Sequence, residues 1–309
     1  MAGAARVEVD AAVRVTAAAA ALLGESPLWH PQERALYYCD IPGRALHRFD
    51  PRSRATQRWD FDTDIASLAP HRDGALLVAM RDGLWRFDPS TGQRVTLAAP
   101  PYDPAIERFN DGKCDPAGRF WVGTIYEPKT AASASLHCFS GGRLRRIEGG
   151  ITVSNGLAWS PDGLTMYWSD TAAHIVYAFD FDPATGGLGE RRVFAQFPAK
   201  QPGQPLDSYG GRPDGAAVDV EGCYWVAMFE GQRVLRLSPQ GELLREVRLP
   251  VRCATMPCFG GADLKTLFIT TARRNRPPDE LEAQPHAGCV LSIEVDVAGL
   301  PVNFVASPD

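Results

Sequence analysis

The sequence predicts an all-β fold, a six-bladed β-propeller, on three observations. Runs such as ALYYCD, ALLVAM, FWVGT, MYWSD, YWVAMF and TLFITTA are short and rich in aromatic and β-branched residues. Gly, Pro, Asp and Asn bound them, the pattern of strands in hairpins. The runs group into sets that open on a polar or glycine entry, pass an x-D-G or similar turn into an aromatic strand, and close on FDP or LSP. The sets begin near Gly24, Ala66, Asn110, Ser154, Pro213 and Met256, at a period of roughly 42–45 residues, which is propeller-blade length. Six such sets, each of about four strands, fill nearly the whole chain, and radial packing buries both faces of each small sheet. A two-sheet sandwich explains the strands but not their equal spacing.

The connections follow from turn chemistry. DPSTGQR (Asp88 to Arg94) and DPATGGL (Asp182 to Leu188) place Pro at the first turn position and Gly where φ is positive. One interval is longer because AKQPGQPLDSYGGR (Ala199 to Arg212) is inserted before the fifth entry. No linker divides the chain, so a single domain over residues 1–309 is expected. The segment Val7 to Val15 is expected to join a blade made largely of C-terminal strands and so close the ring.

Composition narrows the function. The net charge is -5, with no Lys/Arg block, so neither nucleic acid nor an anionic membrane is an expected partner. The apolar start, Ala17 to Leu23, is too short to span a bilayer. Acidic Glu8 and Asp10 precede it and argue against a signal peptide, so a cytoplasmic location is expected. The 7 cysteines are scattered, with no C-x-x-C pair, and read as free, mostly buried thiols.

The entries carry the functional signal. Inner strands of a propeller line its channel, so equivalent positions in different blades lie at one height around the axis. Blade one enters with Gly24-Glu25-Ser26-Pro27, blade three with Asn110-Asp111-Gly112, blade four with Ser154-Asn155-Gly156, and blade five with Pro213-Asp214-Gly215. Glu25, Asn110, Asn155 and Asp214 should therefore converge, although about 190 residues separate the first from the last. Asn-Gly and Asp-Gly are ordinary turn dipeptides, but four polar entries at one register favour a site over four unrelated turns. Two carboxylates and two amides form an all-oxygen set, and carboxylates facing each other in a dry channel repel unless a cation joins them. Such a set suits one divalent ion, Ca²⁺, Mg²⁺, Mn²⁺ or Zn²⁺, with positions left open for water and substrate.

The motifs GESPLW, RFNDGKCDPAGRFWVGT, SNGLAWSPDG, YAFDFDPATG, PDGAAVDVEGCYWVA and CFGGADLKTLFITTAR, in this order over roughly Leu23 to Val295, resemble the SMP-30/gluconolactonase/regucalcin family. The resemblance implies a six-bladed propeller with one divalent metal at the channel mouth, held by Glu25, Asn155 and Asp214 with Asn110 adjacent. It implies hydrolysis of a sugar lactone, with substrate contacts at Arg108, Asn110, Asp111 and Glu127. The Ala199 to Arg212 insertion and Tyr126, which precedes Glu127, depart from the family pattern and bear on which sugar is taken.

On this reading Asp214 is the candidate base, drawing a proton from the attacking water, and Arg108 offers a planar fork to a hydroxyl-rich ligand. Asp111 and Glu127 would accept from sugar hydroxyls. The product is the aldonic acid, as in sugar catabolism. The alternatives are a related metal-dependent esterase or phosphotriesterase, and a non-catalytic calcium-binding propeller. No H-E-x-x-H, G-x-S-x-G or Walker A string is present. His286 lies in a loop, Asp40 and Asp170 are expected to tie loops by hydrogen bonds, and Trp29, Trp121, Trp159, Trp168 and Trp225 to pack between blades.

Overall fold

The computed structural model describes residues 9–306, in which six antiparallel sheets form a six-bladed β-propeller. The innermost strands are Gly24–His30, Ile65–Pro70, Glu107–Cys114, Ser154–Trp159, Arg212–Val218 and Ala254–Gly260. Each packs beside the innermost strands of its two neighbours, and the sixth returns to the first. Blade six is built from Ala254–Gly260, Thr266–Thr271 and Val290–Glu294, and its outer strand is the early segment Arg14–Ala17, with Arg14 opposite Ser292. Val7 and Glu8 lie outside the described residues. Removing residues 1–17 would expose the edge of Val290–Glu294 and take Val13, Val15 and Ala17 out of the clusters they pack in. The expected outcome is a lower melting temperature, read by calorimetry; an unchanged one would mean that this strand does not help close the ring.

Blade interfaces are aromatic, as the tryptophan spacing predicts. Trp121 meets Trp159 across blades three and four at 6.1 Å, and Trp225 meets Phe259 across blades five and six at 5.8 Å. Trp29 stacks on Phe268 across blades one and six at 5.7 Å. The tight turn after an inner strand is tied by an aspartate: Asp115 accepts from the amides of Ala117 and Arg119 and from Trp121 Nε1, and Asp219 does the same for Glu221, Cys223 and Trp225. Asp40 accepts from the amides of Leu22 and Leu23, and Asp170 from those of Thr152 and Val153, so both hold the chain as it enters an inner strand. All 7 cysteines are free thiols, and all but Cys258 are buried.

One feature of the inner strands was not predicted. Each of the six has a register shift against its second strand: at Glu25/Leu28, Ile65/Ser67, Phe109/Gly112, Asn155/Ala158, Pro213/Ala216 and Ala254/Met256. The Asn-Gly and Asp-Gly dipeptides therefore sit inside strands, at bulges, and not in turns. A bulge re-aims the side chains beside it, which is how the entry residues are presented at one end of the channel. Gly156 shows the requirement most plainly. Its φ is +65°, and a Cβ there would overlap Tyr224 Oη and Ser169 Oγ, while Tyr224 Oη donates to the Gly156 carbonyl at 2.8 Å. Gly156→Ala should cost about 3 kcal/mol from left-handed strain plus overpacking, read as a lower denaturant midpoint. A loss under about 0.5 kcal/mol, the range of surface substitutions, would mean that the bulge adapts easily.

Candidate functional site

All six inner strands run in one direction, so their early residues share one mouth of the channel and their late residues the other. Glu25, Arg108, Asn110, Asp111, Asn155 and Asp214 are at most 8% exposed, so their charges are largely out of water. Glu127 is more open, with 38% of its side chain exposed, in the stretch after Phe120–Tyr126.

Hydrogen bonds order the amides. Arg108 Nη1 donates to Asn110 Oδ1 at 2.8 Å and to the Phe109 carbonyl at 2.8 Å. Asn110 Nδ2 donates at 2.8 Å to both the Ser154 carbonyl and Asn155 Oδ1. Asn155 Nδ2 in turn donates to Thr171 Oγ1 at 2.8 Å. The chain Arg108–Asn110–Asn155–Thr171 thus ties blade three to blade four and fixes which end of each amide is oxygen. Asn155 Oδ1 keeps a second lone pair for another partner.

The carboxylates have only backbone amides as partners: Glu25 Oε2 accepts from the Ser26 amide at 3.4 Å. Glu25, Asp111 and Asp214 have no ion-pair contact within 4 Å among the described residues, and Asp111 Oδ1 is buried with no hydrogen bond. Asp111 Oδ2 accepts from the Leu157 amide at 2.9 Å. Burial pushes Glu25 well above the usual carboxylate range, and the charges of Asp214 and Asp111 push it further. Asp214 is pushed up to about 8, by burial first and then by Asp111, against relief from Arg212, Lys129 and Arg108. Asp111 is raised by burial and eased by Lys113. Glu25, Asp111 and Asp214 are thus within electrostatic reach of one another, although the sequence separates them widely.

This donor set fits a divalent cation. The oxygens are hard, the carboxylates are short of positive charge, and Asn155 Oδ1 is held in place by its neighbours. Among the described residues no three His, Cys, Asp or Glu side chains form a metal cluster by themselves, so the amide of Asn155 would be needed as a donor.

The remaining predicted residues sit in a basic rim. Glu127 is chelated by Arg81, with both contacts at 2.9 Å, and Arg108 Nε stands 3.5 Å from Glu127 Oε1. The Arg81 hydrogen bonds hold the Glu127 carboxyl below its ordinary value. Arg81 also binds Asp64 at 2.8 Å. Sequence reasoning missed Arg81, Thr171, Lys129 and Arg212. Arg212 had a readable signal: it stands two residues before Asp214, as Arg108 stands two residues before Asn110. The insertion before the fifth entry is anchored at this rim, where Tyr209 Oη and His174 Nε2 are 2.6 Å apart and Arg252 binds Asp207 at 2.6 Å. His286 is exposed in a loop.

A cavity of about 530 Å³ is at the opposite mouth, lined by Trp29, Lys113, Trp159, Ala217, Phe259 and Val302 among others. It contains none of the predicted site residues. The stretch 300–306 crosses that mouth, with backbone hydrogen bonds to Val218, Pro70 and Gly118.

A propeller with an acidic, oxygen-lined channel mouth and a basic rim defines the class, and sequence comparison supplies the family. Residues 23–273 match the family described as SMP-30/Gluconolactonase/LRE-like region, and the chain belongs to it. It is similar to a 6-deoxy-6-sulfogluconolactonase of Pseudomonas putida, 40% identical over 90% of this chain and 93% of that protein. It is also similar to regucalcin of Oryctolagus cuniculus, 35% identical over 90% of this chain and 93% of that protein. Among solved structures, a calcium-binding regucalcin from Agrobacterium tumefaciens superposes with a TM-score of 0.88 at 28% identity, covering 95% of this chain and 97% of that one. No described helix is long and apolar enough to cross a membrane.

Proposed function

We propose that the protein hydrolyses the ester bond of a sugar aldono-lactone to give the aldonic acid, with one divalent cation held by Glu25, Asn155 and Asp214. Membership of a lactonase family and 40% identity to a lactonase support the enzyme class. What supports the metal is that Glu25, Asp111 and Asp214 are buried carboxylates with no ion-pair partner among the described residues, and that Asp111 raises the pKa of both others. When bound, a divalent ion polarises the lactone carbonyl and makes a nearby water more acidic.

The chain's own groups supply the rest. Asp214 takes the proton of the attacking water. Its raised basicity belongs to the metal-free protein; a bound cation would keep it ionised, the form that accepts a proton. Asn110 is a positioning residue: its Nδ2 donates to Ser154 and Asn155 and its Oδ1 accepts from Arg108, so it orients Arg108 and Asn155. Arg108 and Asp111 Oδ1 retain hydrogen-bonding capacity for sugar hydroxyls. Glu127, fixed by Arg81, frames the open side of the site. A cytoplasmic location remains this reading's expectation. The test is a pH-indicator assay over neutral and acidic sugar lactones, aryl esters and organophosphates, with stripped protein reloaded ion by ion. Turnover of lactones alone, restored by a divalent ion, supports the proposal. Turnover of esters or organophosphates in preference, or activity indifferent to metal, refutes it.

A further inference from the structure

The cavity at the far mouth is walled by one layer of the ring. Leu28, Ala69, Lys113, Ala158, Ala217 and Phe259 occupy equivalent register positions, each late in its inner strand, and all six line it. Five are apolar and the sixth is a lysine. Trp29 and Trp159, one residue further along their strands, add two aromatic faces. A volume of about 530 Å³ and an apolar, aromatic wall with few polar groups are the features of a small-molecule site.

Lys113 is the one charge in that layer. Its ammonium reaches from blade three to blade five and donates to the Ala216 carbonyl at 2.7 Å. It makes no other hydrogen bond and no ion pair among the described residues, so two of its three donors stay unused. The acids two residues to either side are bonded elsewhere. Asp111 accepts from the Leu157 amide, and Asp115 accepts from Arg119 Nε and Trp121 Nε1. Burial among apolar side chains pulls Lys113 below the usual lysine range. Arg34, exposed at the rim, lines the same cavity. No Asp, Glu or His lines it among the described residues, although the chain carries a net charge of -5. Two cations and no acid on an apolar wall are complementary to an anion with an apolar body. A sugar would leave most of its hydroxyls unpaired there.

We propose that the far cavity is a second ligand site, distinct from the mouth that holds Glu25, Asn155 and Asp214, and that it takes an aromatic monocarboxylate. The carboxylate accepts from Lys113, a charge-assisted bond of the strong kind, and the ring is buried against Trp29, Trp159 and Phe259. The site stands whether or not the other mouth is a lactonase.

The experiment is calorimetric titration of the full chain, metal-stripped and metal-loaded, with 2-naphthoate, with the neutral 2-naphthylmethanol and with acetate. Naphthoate should bind one site about tenfold or more tighter than the alcohol, the size of one charge-assisted bond. Acetate has no ring to bury and should show no binding at the same concentrations. The naphthoate affinity should be the same with and without metal. Lys113→Met should bring naphthoate down to the level of the alcohol. Because Lys113 also ties blade three to blade five, Arg34→Glu, on an exposed residue, carries the test if that variant does not fold: naphthoate should weaken several-fold and the alcohol should not. Naphthoate bound no tighter than the alcohol would overturn the site, as would a preference unchanged in Lys113→Met, or in Arg34→Glu where Lys113→Met does not fold. Binding to the metal-loaded protein alone would place the carboxylate on the ion and overturn it too. Lactone turnover, read separately, is untouched by any of these outcomes.

Discussion

Asp214→Ala should abolish lactone turnover, with kcat/KM falling by at least about 10³, because one substitution removes a metal donor and the proton acceptor together. Asp214 lies at the bulge of the fifth inner strand, where the register shifts between Pro213 and Ala216. Burial and Asp111 make it basic, so it binds a proton or a cation rather than stay ionised alone. Asp214→Asn keeps the shape and loses the charge, and should fail almost as completely. Glu25→Ala should fail by the same route, through lost metal. Metal content and rate are measured on the same preparations, after exhaustive chelation and reloading. Full activity in Asp214→Ala or Glu25→Ala under those conditions would contradict the assignment.

The second large effect concerns metal removal and pH. In the metal-free protein Asp214 and Glu25 hold their protons more tightly than the same residues in an unfolded chain. Between about pH 4, where unfolded carboxylates ionise, and about pH 8, where Asp214 does so in the folded state, the folded protein binds more protons. The slope of unfolding free energy with pH is then negative: the stability from these groups is fully present below about pH 4 and is lost as pH rises towards 8. Asp214→Asn should flatten part of this decline in the metal-free state. Added divalent ion should raise the melting temperature most near neutral pH and release protons on binding. Calorimetry across pH, with and without metal, checks this. A metal-free protein whose stability does not fall from pH 4 to 8 relative to Asp214→Asn would show that these carboxylates are not held near one another in the dry channel.

Much of this is legible in the amino-acid sequence. Six entries at one spacing were enough for the ring, because each blade must return the chain to the axis before the next begins. Glu25, Asn155 and Asp214 could be picked out because equivalent entries share a height. The bulges were not legible, since one extra residue in a strand leaves the blade period unchanged. The chelation of Glu127 by Arg81 was not legible either: it joins side chains from different blades whose approach depends on the angle between sheets. Arg212 was legible but overlooked, because its position two residues before Asp214 repeats the relation of Arg108 to Asn110. Asn110 is expected next to the metal and facing substrate; its amide bonds Arg108, Ser154 and Asn155, contacts no sequence pattern announces, and its Oδ1 keeps one lone pair. The cavity at the far mouth had no sequence signal, because the crossing stretch 300–306 follows the last repeat.

The most direct measurement is anomalous diffraction from crystals soaked in Mn²⁺, which locates the ion without reference to turnover. The account predicts one strong peak coordinated by Glu25, Asn155 and Asp214, which disappears in Asp214→Ala. A peak elsewhere in the channel, or none at that mouth with the crystal intact, would contradict it.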